Sequence, residues 1–146
     1  MPLPASVLFA CTQNAVRSPM AEGIMKMLFG RQVYVDSAGV RPVPTDGFVI
    51  QVMDEIGIDV SRHRSKSFDD LEDTSYDLII SLSPEAQHSA VELTRTMACD
   101  VEYWPTLDPS IIEGSRETRL QAYREVRDQL MKRITERFDS GPNPVV

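Results

Sequence analysis

The sequence predicts an α/β fold: a four-stranded parallel sheet flanked by helices on both faces, in three layers. Three observations carry this. Short apolar runs alternate with segments of helical periodicity along most of the chain. The run "YDLIISLS" (76–83) sets Leu78, Ile79 and Ile80 side by side with no polar alternation, the pattern of a strand covered on both faces. Strand–helix alternation with strands of that kind implies crossover connections and a parallel sheet.

The elements follow in order. "SVLFA" (6–10) is a short β-rich strand that runs into a cysteine loop. "SPMAEGIMKMLFG" predicts a helix with Ser18 as N-cap, Pro19 at the first helical position and Gly30 as its end. "VYVDSAG" (33–39) reads as a second strand, and "TDGFVIQVMDEIG" (45–57) as a helix stopped by Gly57, with Phe48, Val52 and Ile56 at helical spacing. After the third strand, Pro84 opens a helix over 84–97, and "DVEYWP" (100–105) is a fourth strand ended by proline. The longest helix spans 115–138, with Leu120, Tyr123, Val126 or Arg127, Leu130, Ile134 and Phe138 as its apolar stripe. One domain is expected over 1–146, with its core at about 6–138 and a loose tail "DSGPNPVV" (139–146).

Composition narrows the function. The chain has 146 residues, is 42% hydrophobic and 25% charged, and carries a formal charge of −7. That acidity argues against nucleic acid and anionic membranes as partners, and it makes any local basic pocket more informative. No apolar run reaches the roughly 18 residues of a membrane span. The N-terminus lacks the basic region and processing site of a secretory leader, so a cytoplasmic location is expected. Two cysteines, Cys11 and Cys99, and two histidines, His63 and His88, are too few and too scattered for a zinc ribbon or a thioredoxin-like pair. No structural metal site is expected.

The chemistry concentrates in "CTQNAVRSPMAEG" (11–23). In open parallel sheets, ligands sit beyond the carboxyl ends of the strands, and Cys11 directly follows the first strand. A loop from a strand to a helix N-terminus gathers unpaired backbone N–H groups and the positive helix dipole at one point, which suits an anion. Thr12, Gln13, Asn14, Ala15, Val16 and Ser18 would form that cradle. Arg17 would add a planar fork for two oxygens of a tetrahedral oxyanion. Cys11 shares the same field, which favours thiolate over thiol. Ser18 can donate to the thiolate, and Asn14 suits a backbone bend in the left-handed region. No Gly-Lys-Ser/Thr follows, so this is not a nucleotide P-loop. A thiolate attack needs a proton for the leaving oxygen. Asp108 in "YWPTLDPS", after the last strand and so on the same sheet edge, is the candidate general acid.

Each of these residues also has a plainer reading. Cys11 could be a buried small hydrophobe at a strand end, Arg17 a surface charge, and Asp108-Pro109 an ordinary turn. His63, among Arg62, Arg64 and Lys66, is read first as part of a solvated loop, with contact to a substrate or partner as the lesser alternative. His88 is read as a polar-face helix residue, Cys99 as a structural thiol, Trp104 as core or site wall, and "DDLEDTSYD" (69–77) as an acidic surface loop.

The segments "VLFACTQNAVRSPMAEG", "DSAGV", "IGIDVSRHRSKSF", "YDLIISLS" and "YWPTLDPS" together resemble the low-molecular-weight protein tyrosine phosphatase superfamily, which includes arsenate reductases. The resemblance runs over roughly residues 6–138. It implies a phosphotyrosine phosphatase I-like fold with Cys11 as nucleophile, Arg17 as oxyanion binder and Asp108 as general acid. It also implies that Asn14 and Ser18 order the loop, with no metal or organic cofactor.

The sequence departs from that pattern in three places. Val16 stands where many relatives carry a second loop cysteine. Ser110 follows Asp108-Pro109 where a tyrosine is common, so an aromatic wall is missing there; Phe48, Tyr103 and Trp104 are candidates to replace it. Ser81 and Ser83 stand near the third-strand end, where thioredoxin-coupled arsenate reductases need further cysteines.

The first expectation is therefore phosphomonoester hydrolysis through a cysteinyl-phosphate, on a phosphorylated protein or a small phosphate. The alternative is an arsenate reductase or arsenate–thiol transferase that uses an external small thiol. A phosphate-binding or phosphoprotein-binding module is the third reading.

Overall fold

The computed structural model describes residues 3–71 and 75–139. Four strands form one parallel sheet: β1 (Ser6–Cys11), β2 (Tyr34–Gly39), β3 (Leu78–Ser81) and β4 (Asp100–Tyr103), in the order β2-β1-β3-β4. Four helices connect or flank them: α1 (Arg17–Phe29), α2 (Gly47–Asp54), α3 (Pro84–Leu93) and α4 (Arg116–Phe138). The predicted fold class stands.

The strand alternation of two residues sorts the core into two layers. Val7, Phe9 and Cys11 of β1 join Val35, Leu78 and Ile80 in the larger cluster, with side chains from α1, α2 and α4. Leu8, Ala38 and Ile79 point the other way and pack with Ala90 of α3. Every residue of β1 is buried, as a central strand covered on both faces requires. On α4, Leu120, Tyr123, Val126, Leu130, Ile134 and Phe138 are all buried along the predicted stripe. Arg127 is buried with them, because its guanidinium donates to the Val52 carbonyl at 2.7 Å and to Glu55 at 2.8 Å.

Several predicted boundaries shift for local reasons. Helix α1 begins at Arg17, so Ser18 lies inside it and is not the N-cap, and Pro19 is its third residue. Helix α2 is shorter than the predicted 45–57: the Asp46 carboxylate accepts from the Phe48 amide and caps it, and Gly57 adopts a positive φ of 78° beyond its end. Helix α3 stops at Leu93, ahead of the predicted 97, with Ser83 as its N-cap. Part of the acidic loop, 72–74, and most of the tail, 140–146, lie outside the described residues. No helix among the described residues is long and apolar enough to cross a membrane.

Candidate active site

The order β2-β1-β3-β4 makes β1 the strand at which the chain's progress across the sheet reverses. Cys11 is the last residue of β1, paired with Gly39 at the end of β2. The loop that follows curls over this edge, with Asn14 in the left-handed region at φ 52°. Asparagine tolerates that conformation better than most side chains. Gly39 lies directly beneath the loop. A Cβ there would come within 2.7 Å of the Asn14 nitrogen, so the close approach requires glycine.

Five successive loop carbonyls are taken up from outside the loop. Cys11 O accepts from Val40 N (3.2 Å), Thr12 O from Arg41 N (2.8 Å), Gln13 O from Val43 N (3.1 Å) and Ala15 O from Asp46 N (3.1 Å). Asn14 O accepts from Ser65 Oγ at 2.7 Å and from His63 Nε2 at 3.3 Å. In a trans peptide the N–H points opposite the preceding C=O. Outward carbonyls at 12–15 therefore turn the amides of Gln13, Asn14, Ala15 and Val16 inward. The Asn14 amide donates to Cys11 Sγ at 3.3 Å in keeping with this.

Side chains lock the cradle from below. Ser18 Oγ lies 2.9 Å from Cys11 Sγ. Asn14 Nδ2 donates to Ser18 Oγ at 2.7 Å and to Ser37 Oγ at 2.9 Å. Ser18 accepts there, and its own O–H remains able to donate to the sulfur. Asn14 Oδ1 accepts from Lys66 N at 3.0 Å and from His63 Nε2 at 3.1 Å. Both Asn14 partners of Nε2 are acceptor-only oxygens, so the His63 proton sits on Nε2. His63 Nδ1 lies 3.6 Å from Glu22 Oε1, and the side chains are 8% and 11% exposed. Burial pushes the His63 imidazolium below its ordinary proton affinity, against the opposing pull of Glu22. Glu22 also accepts from Ser37 Oγ and pairs with Lys26 at 2.5 Å. The expectation that His63 belongs to a solvated loop is thus overturned. His63 and Ser65 turn inward to Asn14, while Arg62 and Arg64 are exposed.

Arg17 is buried and held by its own bond from Nη1 to the Thr106 carbonyl at 3.0 Å. Its Nη2 lies 4.0 Å from Asp108 Oδ2. The loop after β4 thus meets Arg17 at the end of the loop after β1, and Asp108 comes beside Arg17 although the two are far apart in the chain. Thr12 Oγ1 donates to Ser83 Oγ (3.0 Å), which ties the cradle to the start of α3. Arg41 and Glu85 form a bidentate pair beside Thr12.

Of the three aromatic candidates for a wall, Trp104 is buried and packs edge-on against Phe9, so it belongs to the core. Tyr103 is exposed on the edge strand β4. Phe48 packs edge-on against Tyr123 at 5.3 Å, with the guanidinium groups of Arg116 and Arg119 over its ring at 5.2 and 4.8 Å. Tyr123 donates to Asp46 at 2.6 Å; burial first, then that bond, push its phenol well above the ordinary range.

Cys99 stands at the opposite end of the sheet. The register sets Asp100 level with Leu78 and Val7, so Cys99 falls five residues short of Cys11 along the strand direction. At about 3.3 Å per residue that is roughly 16 Å. Burial raises the Cys99 thiol above its ordinary value. Ser81 is buried, and Ser83 accepts from the Ala86 amide at 3.3 Å as the α3 cap.

The model of the family described as low molecular weight phosphotyrosine protein phosphatase matches residues 6–140. The chain belongs to this family. It is an enzyme of that cysteine-dependent kind. Among curated proteins it is similar to an arsenate reductase of Halalkalibacterium halodurans, 33% identical over 136 residues, which cover 92% of this chain and 96% of that protein. Among solved structures it is similar to a low molecular weight protein tyrosine phosphatase from T. tengcongensis, with TM-score 0.75, 28% identity, and coverage of 93% of this chain and 99% of that one. An arsenate reductase in the phosphate binding state is similar with TM-score 0.70, 28% identity, and coverage of 91% and 95%.

The residues that a reading of the family loop alone does not find are Glu22, Ser37, His63 and Ser65. The signal for two of them is present in the sequence: Ser37 lies in "DSAG", and Glu22 is one helical turn after Ser18 on the same face of α1.

Proposed function

We propose that the chain is a phosphomonoester hydrolase that works through a cysteinyl-phosphate intermediate. The observation that supports this reading is that Cys11 Sγ receives the Asn14 amide at 3.3 Å at the floor of the loop that ends at Arg17, with Asp108 Oδ2 4.0 Å from that guanidinium. The substrate phosphoryl group lies in the cradle formed by the backbone of Thr12 to Val16 and by Ser18, with two of its oxygens on Arg17. The thiolate attacks phosphorus, the S–P bond forms, and the P–O bond to the leaving group breaks. Asp108 gives its proton to the leaving oxygen. In the second step a water attacks phosphorus, its proton passes to Asp108, and the S–P bond breaks to release phosphate and the thiolate. Inward amides and Arg17 stabilise the charge that develops on the equatorial oxygens.

The substrate is a phosphorylated protein or a small phosphate ester. Ser110 supplies no ring after Pro109, so phosphotyrosine has no aromatic partner at that position.

A second reading is arsenate reduction or arsenate–thiol transfer, and it rests on the names of the curated relatives. Arsenate would join Cys11 with loss of water. An external small thiol would then attack sulfur, forming a mixed disulfide as arsenic is reduced to arsenite. The separation of Cys99 from Cys11, and serines at 81 and 83, favour an external thiol over an internal relay for that chemistry.

A side-by-side assay distinguishes the two. One arm offers an aryl phosphate and phosphotyrosyl peptides, the other arsenate with glutathione or mycothiol. Turnover in the first arm supports hydrolysis. Arsenate reduction without phosphate release reverses the ranking.

A further inference from the structure

Asp108 holds its two carboxylate oxygens in unequal surroundings. Oδ1 accepts from the Ser110 amide at 2.9 Å and from the Ser110 hydroxyl at 2.7 Å. Oδ2 faces Arg17 Nη2 at 4.0 Å, longer than a hydrogen bond. A carboxylate oxygen has two lone-pair sites. Two donors therefore fill Oδ1, and a proton on this carboxyl belongs on Oδ2, the oxygen turned toward the cradle.

We propose that Ser110 is a positioning residue that ties down Asp108 Oδ1 and so makes Oδ2 the proton-transferring oxygen. This rests on the reading of Asp108 as general acid. Proton transfer depends on holding the donor oxygen within hydrogen-bond reach of the leaving oxygen in the correct orientation. The side chain after Asp108-Pro109 thus serves the acid in this chain and leaves the wall of the substrate cleft without a ring.

A purely structural role is separable. Asp108 is also the N-cap of the short 3-10 turn Pro109–Ile111, and the Ser110 amide alone satisfies that cap. Ser110→Ala keeps the amide and removes only the hydroxyl, so the turn stays capped. Ser110→Thr restores the hydroxyl.

The test measures kcat/KM for a series of aryl phosphates, from the best to the poorest leaving group, in wild type, Ser110→Ala, Ser110→Thr and Asp108→Asn. The expected result is a fall of about tenfold in Ser110→Ala for the poorest leaving group, with little change for the best. Ser110→Thr recovers the wild-type slope, and Ser110→Ala adds nothing in an Asp108→Asn background. An unchanged slope in Ser110→Ala, an equal fall across the whole series, or an additive effect on Asp108→Asn overturns the inference while leaving the hydrolase reading intact. A wild-type protein inert toward every aryl phosphate defeats the hydrolase reading and takes this inference with it.

Discussion

Ser18 Oγ sits 2.9 Å from Cys11 Sγ and accepts from Asn14 Nδ2 at 2.7 Å, so its hydroxyl is placed to donate to the sulfur when Cys11 is a thiolate. A hydrogen bond to a charged group contributes about 1.5–3 kcal/mol. Ser18→Ala should lower kcat/KM by roughly ten- to a hundredfold on that basis. The helix should be unaffected, since alanine is a better helix former than serine. Steady-state kinetics with circular dichroism checks this. Wild-type kcat/KM in a folded variant would remove Ser18 from the account.

Asp108→Asn should slow poor leaving groups far more than good ones. General acid catalysis contributes about 10²–10⁴-fold, and only a leaving oxygen that needs the proton loses it. The measurement is the dependence of kcat/KM on leaving-group acidity. An equal loss for all substrates would assign Asp108 a structural role.

Gly39→Ala should disable the loop without a change at Cys11 itself. The added Cβ meets the Asn14 backbone at 2.7 Å and its Cβ at 2.9 Å, and neither is the free end of a flexible chain. Overpacking of this kind typically costs about 1–3 kcal/mol. Urea unfolding should report that loss, and activity should fall further than stability, because the Asn14 amide is a donor to the sulfur. A stable, fully active variant would mean that the loop can move away at no cost.

Acid should weaken the packing of α2 on α4. The Arg124 guanidinium first, and then Arg127, hold the Glu55 carboxyl below its ordinary value. A carboxyl lowered in the folded state adds stability above the unfolded value, about 4.3, and that stability is lost as pH falls through the folded value. Glu55→Gln should melt at a lower temperature than wild type at pH 7 and show a shallower decline toward acid. Parallel melting curves across the pH range would contradict this linkage.

Much of this architecture is legible in the sequence because the signals are local. The unbroken apolar run at 78–80 marks a strand with two covered faces, and Asn14 at mid-loop matches the one non-glycine positive φ among the described residues. The placement of Asp108 opposite Cys11 follows from a parallel sheet that sends each strand's carboxyl end to the same edge. Less legible is what depends on packing between distant segments. Ser18 carries every mark of an N-cap, yet its hydroxyl lies 2.9 Å from the sulfur and the helix starts at Arg17, two residues ahead of the predicted Pro19. His63 sits among basic residues that suggest solvent, yet its ring turns inward to Asn14 and Glu22 while Arg62 and Arg64 stay exposed. Gly39 is conspicuous in "DSAG", but the Asn14 backbone that forbids a Cβ there comes from another strand's loop.

The central claim is that Cys11 forms a covalent bond to the transferred group. Rapid quenching of the enzyme during turnover of an aryl phosphate, followed by peptide mass mapping, reads it directly. The account predicts one phosphoryl group on the peptide that carries Cys11, absent in Cys11→Ala, which should be folded and inactive. A phosphoryl group on another residue, or turnover that survives Cys11→Ala, would contradict it.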